Sequence, residues 1–143
     1  MKRFLVALQF LTILPVKIKS EIKEKDFGAS LLYFPVVGLL IGLLLSLSAL
    51  LLSFLPALVK GAMILMVSIF ITGGIHLDGF ADTCDGFYGN KSGEKILEIM
   101  RDSRIGAMGV IGIASLLVLK FSVLATLPEG FLWKILIVLP VFS

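Results

Sequence analysis

Between Asp26 and His76 the only ionisable side chain, Tyr33 apart, is Lys60. A water-soluble domain does not leave so long a stretch uncharged, because its outward faces have to be solvated. Pro56 divides the stretch into two apolar runs, about 31–55 and 61–77, the first opened by Pro35. The hydrocarbon core of a bilayer takes roughly 20 residues of helix, with about 17 as the lower limit. The first run meets that length easily and the second only just. A third run, about 105–127, holds a single charge at Lys120 and ends at the polar turn Pro128-Glu129-Gly130. A fourth begins near Phe131 and is still apolar at Ser143. Helices do not normally stop in mid-lipid, so the C-terminal part of the fold is expected to be missing from these residues.

Composition points the same way. Apolar residues make up 58% of the 143 and charged residues 16%, against about a quarter charged in soluble domains. Disorder is excluded by the abundance of Leu, Ile, Val and Phe with a net charge of only +3. The lone cysteine, Cys84, excludes a disulfide framework and a clustered thiolate metal site. The fold class read from these facts is an all-α, polytopic membrane helical bundle, a single domain over 1–143.

The N-terminal run 4–16 is too short to span. With Met1-Lys2-Arg3 before it the run looks like a signal peptide, but Pro15-Val16-Lys17 is a poor cleavage site. An interfacial or re-entrant helix is expected instead. Lys2, Arg3, Lys17, Lys19, Lys23 and Lys25 precede the first span, and Lys91, Lys95, Arg101 and Arg104 follow the second. The positive-inside rule then places the N-terminus and the 78–104 segment in the cytoplasm and the 56–60 turn outside. Topology alone accounts for the basic residues, so no nucleic-acid partner is expected.

Polar residues concentrate between His76 and Arg104. Within them 86–93 reads as a loop, followed by a short helix capped by Ser92 and running to about Ser103, with Glu94 in its first turn and Arg101 near its last. Ile96, Leu97, Ile99 and Met100 give it an apolar side. Lys91 and Lys95 either attract an anionic substrate or form a solvated face.

The run His76-Leu77-Asp78-Gly79-Phe80-Ala81-Asp82-Thr83-Cys84-Asp85-Gly86 is the sharpest feature. On a helix Asp78, Asp82 and Asp85 are spaced i, i+4, i+7 and fall within roughly 60° of one another. Three carboxylates on one stripe repel unless a cation lies between them. Mg²⁺ suits such a stripe, taking one or two protein carboxylates and completing its shell with water and phosphate oxygens. Solvated charges on a loop are the plainer alternative, but Leu77, Phe80, Ala81, Cys84 and Phe87 interleave with the acids at helical spacing. Cys84 is expected to pack as a small apolar residue. His76 contacts phosphate or sits at the interface.

A second run, Met100-Arg101-Asp102-Ser103-Arg104-Ile105-Gly106, places two arginines one turn apart, suited to phosphate oxygens. Asp102 is a further metal ligand or a base; alternatively the three charges are topology anchors. Carboxylates and arginines at one membrane face suggest metal-dependent transfer of a phosphorus group from a nucleotide-activated donor to an alcohol.

These two runs, with Ile99 and Ala107 at the ends of the second, resemble the cobalamin synthase (adenosylcobinamide-GDP ribazoletransferase) family. Leu8-Gln9-Phe10-Leu11-Thr12 with Pro15, and Phe34-Pro35-Val36-Val37-Gly38 with Gly42, agree more weakly. The sequence departs at Ile13, where the family often has arginine, and at Cys84, where it often has alanine; family members are also longer. The resemblance implies an inner-membrane, Mg²⁺-dependent transferase. Its substrates would be adenosylcobinamide-GDP and α-ribazole or the ribazole 5′-phosphate, and its products adenosylcobalamin or its phosphate and GMP. It assigns metal to Asp78, Asp82 and Asp85, catalysis to Asp82, Asp85 and Asp102, and substrate binding to His76, Arg101, Ser103 and Arg104. Self-association into a homo-oligomer is left open.

Two other classes compete. Asp82-Thr83-Cys84-Asp85-Gly86 also matches the opening of the CDP-alcohol phosphotransferase motif, but Phe87-Tyr88-Gly89-Asn90 stands where an Ala-Arg pair should follow. A transporter or channel with a cation path predicts charges deep in the spans, where only Lys120 and Lys134 occur.

Overall fold

The computed structural model describes residues 1–18, 21–89 and 92–142. All regular structure among them is helical, so the chain is all-α. The helices are α1 (Lys2–Leu11), α2 (Glu24–Ser30), α3 (Phe34–Leu51), α4 (Ala57–Thr72), α5 (Ile75–Phe87), α6 (Gly93–Met100), α7 (Ala107–Thr126) and α8 (Glu129–Val138). Short 3₁₀ turns at Leu31–Tyr33 and Leu139–Val141 follow α2 and α8. The chain forms two compact units, Met1–Gly73 with Val123–Ser143, and Gly74–Ser122.

In the first unit α2, the 3₁₀ turn and α3 make one helical stretch of 28 residues, Glu24–Leu51, long and apolar enough to cross a membrane. It starts before the expected position 31 because its polar end is tied down. The Asp26 carboxylate accepts the Lys23 backbone N–H at 3.2 Å and pairs with the Lys2 ammonium at 2.6 Å. Pro35 falls in the first turn of α3, where its missing N–H has no intrahelical partner to lose.

The core joins Ala7 and Leu11 of α1, Val37, Ile41, Leu45 and Ala49 of α3, Ile64 of α4, and Leu132 and Leu136 of α8. Gly38 and Gly42 let α3 approach the last segment closely. A Cβ at Gly38 would collide with the Pro140 carbonyl oxygen, and one at Gly42 would lie 2.7 Å from that of Ile137. Small residues four apart are how apolar helices gain van der Waals contact in lipid. Ser46 adds a bond, its hydroxyl donating to the Trp133 carbonyl at 2.8 Å. Lys60 lies in the first turn of α4, only 4% exposed, and its ammonium pairs with Glu129 of α8.

Two expected runs are divided differently. The 4–16 run is helical only to Leu11; Thr12 is extended, and the Ile13 N–H donates to the Ile71 carbonyl at 2.9 Å. The 61–77 run is not one helix, since Gly73 (φ 63°) and Gly74 (φ 72°) both adopt the left-handed conformation that ends α4.

In the second unit α5 continues through Phe87, so the 86–93 loop starts two residues later than expected. Ser92 does cap α6, accepting the Lys95 N–H at 3.4 Å. That helix ends at Met100 rather than near Ser103, because Asp102 turns the chain by accepting the Arg104 N–H at 3.1 Å. Ile96 and Met100 pack on Gly86, where an added Cβ would lie 3.1 Å from each. The 20-residue α7 is also long and apolar enough to span a membrane. Pro128-Glu129-Gly130, expected as a turn, instead opens α8 with Pro128 at its N-cap. Lys91, proposed to attract an anion, Lys19 of the basic N-terminal segment and Ser143 of the last apolar run lie outside the described residues.

Candidate functional site

Asp78, Asp82 and Asp85 do share α5. They separate in what they touch. Asp78 and Asp82 line a cleft of about 230 Å³ together with Ala81, Met100, Arg101, Asp102, Ser103 and Ile105. One wall is α5 and the other is the end of α6 with the loop that leads to α7. The cleft therefore brings the two sequence motifs to one place.

Asp85 is elsewhere. One oxygen of its carboxylate accepts the Gly106 N–H at 2.7 Å and the other the Gly109 N–H at 2.8 Å. These are amides of the first turn of α7 and the residue before it, groups that a helix leaves without internal partners. A negative charge there also favours the helix dipole. Glycine lets the carboxylate approach both amides, since a Cβ on Gly106 or Gly109 would run into it. One turn further on, a Cβ at Gly112 would lie 2.5 Å from Cys84 Sγ. Cys84 thus packs against α7, as a small side chain should.

Asp102 and Arg104 are tied to each other. Arg104 Nη2 donates to one Asp102 oxygen at 2.6 Å, and Nε donates to the other at 3.0 Å. The guanidinium hydrogen bonds hold the Asp102 carboxyl down at about 2, with the Arg104 backbone N–H acting in the same direction. The same pairing raises the Arg104 pKa. Arg104 was expected to hold phosphate; its side chain is 87% exposed and its guanidinium is committed to Asp102. Asp102 was expected as base or ligand; the depressed pKa makes it a poor proton acceptor near neutrality. His76 is exposed in the first turn of α5 and is not part of the cleft lining. Lys95 pairs with Glu98 at 2.8 Å.

Among the described residues no group of three or more His, Cys, Asp or Glu side chains gathers as a metal cage. Of the three carboxylates on the cleft, Asp102 is paired with Arg104, and Asp78 and Asp82 are the two that α5 contributes. That donor set fits magnesium, which is bound through one or two carboxylates plus phosphate oxygens and water rather than by an all-protein cage. Arg101 and Ser103 lie on the opposite wall, and both are hydrogen-bond donors. Sequence reasoning missed Gly106 and Gly109 as the positions that fix this loop; their three-residue spacing, continued at Gly112, was the available signal.

A family model described as cobalamin-5-phosphate synthase matches residues 3–143. The chain belongs to that family. Curated relatives agree: the adenosylcobinamide-GDP ribazoletransferase of Acetivibrio thermocellus is 44% identical over 142 residues, covering 99% of this chain and 57% of the relative. That of Clostridium acetobutylicum is 40% identical over 141 residues (98% and 56%), and that of Geotalea daltonii 39% over 144 (100% and 58%). The chain therefore spans little more than half the length of these curated relatives. No solved structure matches it.

Proposed function

We propose that this chain carries the phosphate-handling site of a membrane transferase that joins adenosylcobinamide-GDP to α-ribazole, or to its 5′-phosphate. The hydroxyl oxygen of the ribazole attacks the phosphorus linked to the corrinoid. A new P–O bond forms, the bond to GMP breaks, and the hydroxyl proton passes to a carboxylate of the cleft. The supporting observation is the cleft itself, where Asp78 and Asp82 share walls with Arg101 and Ser103.

Asp78 and Asp82 would hold Mg²⁺, which supplies positive charge against the phosphates when bound. Arg101 binds phosphate oxygens in forked fashion and Ser103 adds a hydroxyl donor. Asp102 fixes Arg104, whose guanidinium holds the Asp102 carboxyl down at about 2. The basic N-terminal segment and the Lys95–Arg104 stretch support a cytoplasmic-side position for this site at the cell's inner membrane.

The test uses membranes carrying the whole gene product, supplied with adenosylcobinamide-GDP, α-ribazole and Mg²⁺. GMP release and a ribazole-bearing corrinoid are expected, both lost with EDTA. Asp82→Asn should lower turnover on the order of 100-fold or more while protein level in the membrane is unchanged. Turnover of a CDP-activated lipid in place of the corrinoid would overturn the assignment.

A further inference from the structure

The geometry points to Asp85 as a positioning residue, resting on the proposed site: it holds the phosphate-binding loop against α5 instead of ligating metal. The loop from Arg101 to Ile105 forms one wall of the cleft, and it is anchored to α5 at both ends. At its start Met100 and Ile96 pack on Gly86. At its end the Gly106 and Gly109 amides are bonded to Asp85 at 2.7 and 2.8 Å.

Asp85 and Gly86 are neighbours on α5, and Asp82 lies one turn before them. The helix that bears the cleft carboxylates is thus also the base on which the opposite wall is registered. A carboxylate is the side chain that does this with both oxygens, because each accepts one amide. An asparagine offers a single acceptor oxygen in its place. The glycines complete the device, since a Cβ at either position would push the carboxylate away. A small displacement of a positioning element costs far more rate than its distance from the reaction suggests.

Hydrogen exchange on the wild-type protein in detergent, with and without Mg²⁺ alone, tests this without reference to activity. The Gly106 and Gly109 amides are expected to be protected and to stay equally protected when Mg²⁺ is added. Loss of protection on adding Mg²⁺ would show the carboxylate leaving for the metal and overturn the proposal, as would absence of protection in both conditions.

Variants give the second measurement. Asp85→Asn and Gly109→Ala should both reduce turnover, on the order of 100-fold, with the Mg²⁺ concentration for half-maximal rate unchanged. The double variant should be little worse than either single one, because both break one contact. A raised Mg²⁺ requirement in Asp85→Asn alone, with Gly109→Ala near wild type, would make Asp85 a metal ligand. Protected, Mg²⁺-insensitive amides in a protein that transfers no ribazole would sink the proposed reaction and leave the role of Asp85 standing.

Discussion

Every buried apolar side chain among the described residues, Ala81 excepted, belongs to 1–73 and 123–143, whereas 74–122 is held by carboxylates on backbone amides and on a guanidinium. The first unit follows the rules of packing in lipid. Its helices close on glycines, and the charge they bury is paired as Lys60 with Glu129. In the second unit apolar burial is scarce and directional bonds do the fixing. The difference teaches where each unit stores specificity. Shape complementarity sets it in the first. In the second, hydrogen-bond geometry at a few atoms sets it, and those atoms adjoin the cleft.

Changes chosen to strain each unit sharpen this contrast. The largest effect is expected from Glu129→Gln, which leaves the ammonium of Lys60 buried without its counter-charge. Breaking a fully buried pair costs about 3–5 kcal/mol; with the Glu129 side chain 73% exposed the loss here is smaller, about 2–3 kcal/mol. Thermal unfolding in detergent should show it, with Lys60→Met plus Glu129→Gln recovering part of the loss. Gly42→Ala should follow at about 1–3 kcal/mol, the range for overpacking a well-filled site, because the added Cβ meets the backbone of Ile137. A melting temperature equal to wild type would show that α3 and α8 can move apart.

In the second unit, Ser92→Ala should cost about 0.5–1 kcal/mol. It should be visible as faster exchange of the Lys95 amide with no change in overall melting. Smallest is the effect of acid on Asp102. Its pKa falls from 3.8 to about 2 through Arg104. The pairing is therefore complete above about pH 4 and is lost as pH falls toward 2, with no change between pH 5 and 8. A carbon-13 titration of the carboxyl should give a midpoint near 2, and Arg104→Gln should move it up toward 3.8.

How far the sequence shows these things follows from the range over which each is decided. The apolar run 105–127 matches α7, Ala107–Thr126, because charge and proline bound it locally. The early start at Glu24 was written in Lys23 and Asp26, three residues apart, but the hydrophobic pattern drew attention past it. The Gly73-Gly74 pair was legible as a breaker, and reading 61–77 as one span passed over it. The i, i+4, i+7 stripe correctly put three aspartates on one helix. It does not reveal that Asp85 bonds to amides 21 and 24 residues downstream. Spacing along one helix carries no trace of a partner on another. The spacing of Arg104 from Arg101 likewise says nothing of its pairing with the Asp102 carboxylate two residues away.

The pairing of Lys60 with Glu129 also fixes an order of events during synthesis. The two residues are 69 positions apart. At ribosomal rates of about 5–20 residues per second, α4 waits between about 3 and 14 s before its counter-charge has been made. Through that interval the ammonium must stay in water or among headgroups. The final seating of the start of α4 is therefore expected to be a late step of biogenesis, after α8 has been made.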